Sequence, residues 1–271
     1  MVTTQAQKTI KTERRIKKMK IAMLFFSYKN DEQLLAQALR AVPRLRELNP
    51  NDTIDIYVRD DATAPMSKAP DGVDYKQTTF NRCGNLNGLE CVEGMAGEYS
   101  AIIEAGGYDW LVKLDCDTYL NSLDWLRDND PERTTHVGTV TISNYAAGAC
   151  YAVSRLGAQQ LQQHLQNEIT RKRISIAYCE DKVISRLLNM QFQARLQYNL
   201  KNEIAAEKLY LDWLSAEEME LSERLKPYAV TFKKCRWHTT PDTYTADIDD
   251  GLQKITAYAD YADRHKQEET S

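Results

Sequence analysis

Three apolar runs of strand length, Lys20–Ser27, Thr53–Val58 and Trp110–Leu114, alternate with longer segments of helical period. Such alternation calls for a parallel sheet with crossover helices, because parallel neighbours need a long connection and both sheet faces must be covered. The first run, KIAMLFFS, is almost continuously apolar, as a strand buried on both faces must be. Ser27-Tyr28-Lys29-Asn30-Asp31 reads as a loop and helix cap. Leu34, Leu35, Ala38, Leu39, Val42, Leu45 and Leu48 then recur at helical spacing, with Pro43 placed to shorten or kink that helix. Asn49-Pro50-Asn51-Asp52 is a turn. TIDIYV follows as a β-branched second strand, with Arg59-Asp60-Asp61 just past its end.

Residues 62–88 are rich in turn formers, with one short strand expected near Val73–Thr79. Arg82 and Gly84-Asn85-Leu86-Asn87-Gly88 precede a helix expected over 89–105, which Gly106-Gly107 ends. A cation and glycines at a helix start suit phosphate or sugar hydroxyls, and equally an ordinary capping loop. After the strand Trp110–Leu114 come Asp115-Cys116-Asp117, a short helix over 121–126 and a strand over 136–143. The segment Ala146–Ser154 is small, then apolar. Ser154 can cap a helix Arg155–Gln166. Another helix opens on Glu180-Asp181 and turns Val183, Ile184, Leu187 and Leu188 inward. Strands near 192–198 and 227–232, an acidic helix near 213–225 and an amphipathic helix over 247–265 complete the chain. With no repeat and no low-complexity linker, it reads as one α/β domain over 20–271 behind a basic arm, residues 1–19.

Charge and composition narrow the function classes. Residues 1–20 carry seven Lys or Arg against one Glu, so the body is more acidic than the net charge of -4 suggests. The arm suits weak peripheral contact with an anionic membrane, or is simply a solvated tail. The acidic body offers no contiguous basic face, so no nucleic-acid partner is expected. The longest strongly apolar run, Ile21–Phe26, falls far short of the roughly 20 residues a spanning helix needs, so no transmembrane segment is expected. Six cysteines without a C-x-x-C pair argue against a structural zinc site and fit free thiols, hence a cytoplasmic location. Neither G-x-G-x-x-G nor G-x-x-x-x-G-K-[ST] occurs, so no dinucleotide fold or P-loop is expected.

The chemistry-bearing residues gather at strand ends. In open α/β sheets, ligands bind beyond the carboxyl ends of the strands. Ser27, Arg59 and Asp60 are therefore candidate nucleotide contacts, although an ion pair or turn accounts equally well for Arg59 and Asp60. Asp115 and Asp117 follow a buried strand two residues apart. Within a strand that spacing would place both carboxylates on one side, able to hold a hard divalent cation against phosphate oxygens. A surface turn is the plainer reading of an isolated Asp-x-Asp. Glu180 and Asp181 stand at a helix start, where the dipole favours an anion for purely structural reasons as well.

The order of these features resembles that of the GT-A glycosyltransferases, and more narrowly of the fringe and beta-1,3-galactosyltransferase group. The matching residues are Asp115-Cys116-Asp117, Gly148–Ser154, Glu180-Asp181 and His238, and the resemblance covers roughly residues 20 to 240. It implies a single-domain αβα sandwich with a mostly parallel, Rossmann-like sheet. It also implies a hexosyltransferase that moves a sugar from a nucleoside-diphosphate sugar, UDP being expected, to an acceptor hydroxyl with inversion. The acceptor class would be a glycan, a lipid-linked sugar or a polypeptide, and the cofactor Mn²⁺ or Mg²⁺. On this resemblance Asp117 ligates the metal directly, Asp115 lies nearer the ribose or reaches the metal through water, and His238 completes the shell. Asp181 is the base, with Glu180 supporting it or binding the acceptor. Gly148 and Ala149 border the acceptor, and Trp237 either stacks on a sugar face or packs in the core; Ser27, Arg59, Asp60, Arg82, Asn87, Asp115 and Cys116 line the nucleotide-sugar site. Three departures stand out: Ala149 replaces a second glycine, the interval from Asp181 to His238 is long, and no lumenal signal anchor precedes the domain, as in a bacterial or cytosolic relative. The rival readings are a nucleotidyltransferase making a nucleotide-sugar, which would carry a Gly-rich loop with Arg and Lys after its first strand, and a GT-A-like binding module without turnover.

Overall fold

The computed structural model describes residues 18–27, 29–79, 88–140, 146–174, 180–188, 229–232 and 241–269. The strands are β1 (Lys20–Ser27), β2 (Thr53–Asp61), β3 (Asp74–Thr78), β4 (Trp110–Asp115), β5 (Thr118–Leu120), β6 (His136–Val140), β7 (Ala146–Ser154) and β8 (Ala229–Thr231). The helices are α1 (Glu32–Leu39), α2 (Ala41–Leu48), α3 (Gly88–Gly106), α4 (Asp124–Arg127), α5 (Arg155–Leu165), α6 (Glu168–Ile174), α7 (Glu180–Leu187) and α8 (Pro241–Glu269). No helix among the described residues is long and apolar enough to cross a membrane.

Six strands form one sheet in the order β3-β2-β1-β4-β7-β6. β3, β2, β1 and β4 run parallel, β7 is antiparallel to β4, and β6 is antiparallel to β7. The chain steps outward one way from β1 to β2 and β3, then returns to the other side of β1 as β4. That reversal is a topological switch point, where the two crossovers leave on opposite faces and open a crevice beyond the strand ends. Ser27 pairs with Asp60 across β1 and β2, and Phe26 with Asp115 across β1 and β4. The crevice end of the sheet is therefore bordered by Ser27, Asp60 and Asp115.

Alternation along β1 shows why the sheet needs two covering layers. Ile21, Met23 and Phe25 pack with α1, α2, β5, β8 and α8, whereas Ala22, Leu24 and Phe26 pack with α3, α5, α6 and α7. All six are essentially without solvent exposure. The result is a three-layered α/β arrangement in which β1 is apolar on both sides.

Several elements depart from the sequence expectation. The single helix expected over 34–48 is two, parted at Arg40. Pro43 then occupies the first turn of α2, where its missing N–H costs no hydrogen bond. β2 extends to Asp61 because its charged end is buried by partners described below. The segment 146–154 is a full strand, and α6 and β5 are elements that the sequence reading lacks. Ser154 caps α5 as expected, its hydroxyl accepting from the Gly157 N–H at 3.0 Å. Gly157 is required there: a Cβ would lie 2.1 Å from the Thr135 carbonyl oxygen. The tail helix is longer than expected and is anchored by Arg40, which pairs with Asp260 and Asp263. The expected strand near 192–198, the acidic helix near 213–225 and residues 1–17 of the basic arm lie outside the described residues.

Candidate active site at the strand ends

Asp115 is the last residue of β4, and Cys116 and Asp117 form the turn into β5. The two carboxylates therefore do not share one strand face, as the two-residue spacing suggests, because the strand stops between them. Asp115 keeps a side-chain exposure of 33%, whereas Asp117 is buried. The turn is pinned from two sides. The Cys116 thiol donates to the Phe26 carbonyl of β1 at 3.3 Å, and the Phe232 N–H, just past β8, donates to the Asp117 carbonyl at 3.0 Å. Cys116 itself is 3% exposed and packs in the core, where its side chain anchors the turn.

Beneath Asp115 lies a residue that the sequence reading leaves within an ordinary buried strand. Lys113 is 1% exposed, and its ammonium donates to Oδ1 of Asp115 at 2.6 Å. It pairs in register with Tyr151 of β7, and its Nζ lies 5.7 Å from that ring's centre. The Tyr151 hydroxyl in turn meets the Tyr99 hydroxyl of α3 at 2.6 Å. Burial pushes the Tyr151 hydroxyl far above its usual pKa, and Tyr99, Glu180 and Asp181 push it the same way. α7, which opens on Glu180-Asp181, packs against β7. Burial likewise raises the Cys150 thiol, with Lys113 opposing and Asp115 reinforcing that shift. The signal for Lys113 in the sequence is a single charged residue inside WLVKL.

β7 begins beside this end of β4, since Leu114 pairs with Cys150. Gly148 lies in β7, and half-buried Ala149 immediately precedes the paired residues. Asp115, Ala149 and the Glu180-Asp181 pair are therefore brought to neighbouring elements at one end of the sheet.

Arg59 and Asp60 serve the framework. Asp60 is fully buried; its Oδ1 accepts from Ser27 Oγ at 3.1 Å, and its Oδ2 from Met66 N at 2.7 Å and Tyr75 OH at 2.6 Å. Arg59, 5% exposed, turns toward α3, where its Nε bonds Glu98 at 2.6 Å and its Nη1 bonds Asp74 at 2.8 Å. Its guanidinium also lies over the Tyr57 ring at 5.2 Å. These partners supply the ion-pair reading of Arg59 and a structural anchor for Asp60. Ser27 stands at the end of β1, 3% exposed, held by Asp60. Arg82, Asn87, Trp237 and His238 lie outside the described residues.

Two carboxylates at a strand end are hard oxygen donors, suited to a hard divalent cation whose remaining positions are filled by water and substrate phosphate. No cluster of three His, Cys, Asp or Glu side chains that could enclose a metal occurs among the described residues. Compared with known proteins, the chain matches no family model, and no curated protein matches it in sequence.

Proposed function

We propose that the protein is a glycosyltransferase of GT-A type, transferring a sugar from a nucleoside-diphosphate sugar to an acceptor hydroxyl with inversion. The observation that carries the reading is the pinned Asp115-Cys116-Asp117 turn at the β1/β4 switch point, next to the β7/α7 unit that bears Glu180 and Asp181. Switch-point crevices are where open α/β sheets take nucleotides. The α/β layering and mostly parallel sheet agree with the αβα sandwich the resemblance implies.

Asp117, with Asp115, would hold Mn²⁺ or Mg²⁺. When bound there, that ion would offset the negative charge that develops on the departing diphosphate. Cys116 and Phe232 fix the turn in advance, so little reorganisation accompanies binding. Asp181 takes the proton of the attacking hydroxyl, a task for a carboxylate within hydrogen-bond reach. Glu180 orients the acceptor, with Ala149 beside it. UDP is the expected nucleotide.

A product assay tests the reaction class. Incubation with UDP-sugars, Mn²⁺ and a panel of glycan, lipid-linked and peptide acceptors should release uridine diphosphate. Release of pyrophosphate from a nucleoside triphosphate and a sugar phosphate would instead establish nucleotidyl transfer.

A further inference from the structure

Residues three and four apart share one face of a helix. Ser100, Ile103 and Glu104 share such a face near the end of α3, and Arg155, Ala158 and Gln159 share one at the start of α5. The two faces border a cleft of about 280 Å³, room for a molecule smaller than a drug-sized ligand. It lies far from the Asp115 turn. Trp110, which opens β4, pairs with Ser154 just before α5, whereas Asp115 closes the strand. The length of β4, about 17 Å, separates the two ends.

The walls of the cleft carry opposite charge. Buried Ile103 and Ala158 supply its apolar lining. Arg155 is exposed yet held in place, because its Nη2 donates to the carbonyls of Gly107 at 2.9 Å and Tyr108 at 3.3 Å. The N–H groups of Nε and Nη1 remain for a ligand. Glu104, also exposed, belongs to the facing wall. Among the described residues, neither side chain has an ion-pair partner, and the two do not pair with each other. Ser100 adds a shielded hydroxyl without a hydrogen-bond partner. After one χ1 turn, a polar ligand atom would relieve that cost.

We propose that this cleft binds a small zwitterion, an amino acid with its carboxylate on Arg155 and its ammonium on Glu104. The inference is independent of the function proposed above. A simple anion would meet the Glu104 carboxylate, and a simple cation the Arg155 guanidinium. A neutral sugar gains nothing from either charge. A molecule with both charges makes a charge-assisted hydrogen bond at each end, the stronger kind. Because both walls are open to solvent, each contact changes affinity severalfold and weakens with salt.

The test is saturation-transfer NMR on the full chain at pH 7 with glycine, β-alanine and γ-aminobutyrate, whose charges stand progressively farther apart. At least one should bind saturably. Its methyl ester, which lacks the anion, and its N-acetyl derivative, which lacks the cation, should each bind about fivefold more weakly. Arg155→Met should weaken the zwitterion about fivefold and erase the penalty of the ester but not that of the N-acetyl derivative. Glu104→Gln should do the reverse, a pairing of variant with charge that a merely structural role would not show. If Arg155→Met does not fold, Glu104→Gln, an isosteric change at an exposed position, still decides through the N-acetyl comparison. The inference is overturned if none of the three amino acids binds, if the ester and N-acetyl derivative bind as tightly as the parent, or if Glu104→Gln leaves affinity unchanged. Glucose that binds as tightly and weakens in the same variants would show a sugar site instead.

Discussion

The hydroxyl of Ser27 donates to Oδ1 of Asp60 at 3.1 Å, tying the last residue of β1 to the end of β2. Met66 N and Tyr75 OH complete the Asp60 carboxylate, which has no solvent exposure. One buried anion thus holds two strand ends, the loop after β2 and strand β3. Removing it strands three donors, and each unsatisfied buried group costs on the order of 1–3 kcal/mol. Asp60→Ala should destabilise the protein by about 3 kcal/mol in urea unfolding, more than any single surface substitution. A loss below about 1 kcal/mol would mean the network carries no weight.

The pair of Arg59 and Glu98 supports the same corner from the other face. Both side chains are nearly buried, at 6% and 11% exposure, and Lys76 adds a second contact to Glu98 at 2.7 Å. Removing Glu98 leaves the buried Arg59 to Asp74, whose side chain is 60% exposed, so the cost lies at the low end of the about 3–5 kcal/mol typical of a broken buried pair. Glu98→Ala should therefore cost about 3 kcal/mol, part of which Arg59→Met in the same chain restores. An unchanged melting temperature for Glu98→Ala would contradict this.

Much of this framework is legible in the chain. β1, β2 and β4 are apolar runs bounded by polar residues, and their period and length identify them without tertiary knowledge. β7 is harder, because Ala146-Ala147-Gly148-Ala149 carries no strand propensity; Ala146 pairs with Val140 of β6, and the pairing with β4 starts only at Cys150. β5 is three residues long and exists through its pairing with β8. The site is legible as an order of features: strand end, Asp-x-Asp, small segment, Glu-Asp. Its polarity is not. Which way Cys116 points, that Asp60 is sealed, and that Lys113 reaches Asp115 all depend on neighbours distant in sequence or on where a strand stops.

His136 gives a pH test. It is 4% exposed, and burial lowers its imidazole to about 4 from 6.5. Between those values the unfolded chain binds more protons than the native protein, so stability rises with pH. The contribution is intact above pH 6.5 and falls away as pH drops toward 4. Urea unfolding at pH 7 and 4.5 should show a loss about 2 kcal/mol smaller for His136→Phe than for the wild type, at about 1.36 kcal/mol per pKa unit. Identical losses in both proteins would show that His136 does not titrate with folding.

For the chemistry, Asp181→Asn keeps the shape of the α7 start and removes the proposed base. Transfer should fall at least a hundredfold, within the range general-base catalysis supplies, while nucleotide affinity changes little. Near-wild-type transfer by this variant would assign proton removal elsewhere.

On the proposed function, the Asp115-Cys116-Asp117 turn takes a nucleoside diphosphate together with a divalent cation. A ligand that binds only the folded state raises the melting temperature. Thermal unfolding should be measured with a panel of nucleoside diphosphates, each with and without Mn²⁺, for the wild type and Asp117→Asn. The melting temperature should rise with uridine diphosphate only when Mn²⁺ is present, and the rise should vanish in Asp117→Asn. No Mn²⁺-dependent rise with any nucleoside diphosphate would contradict it.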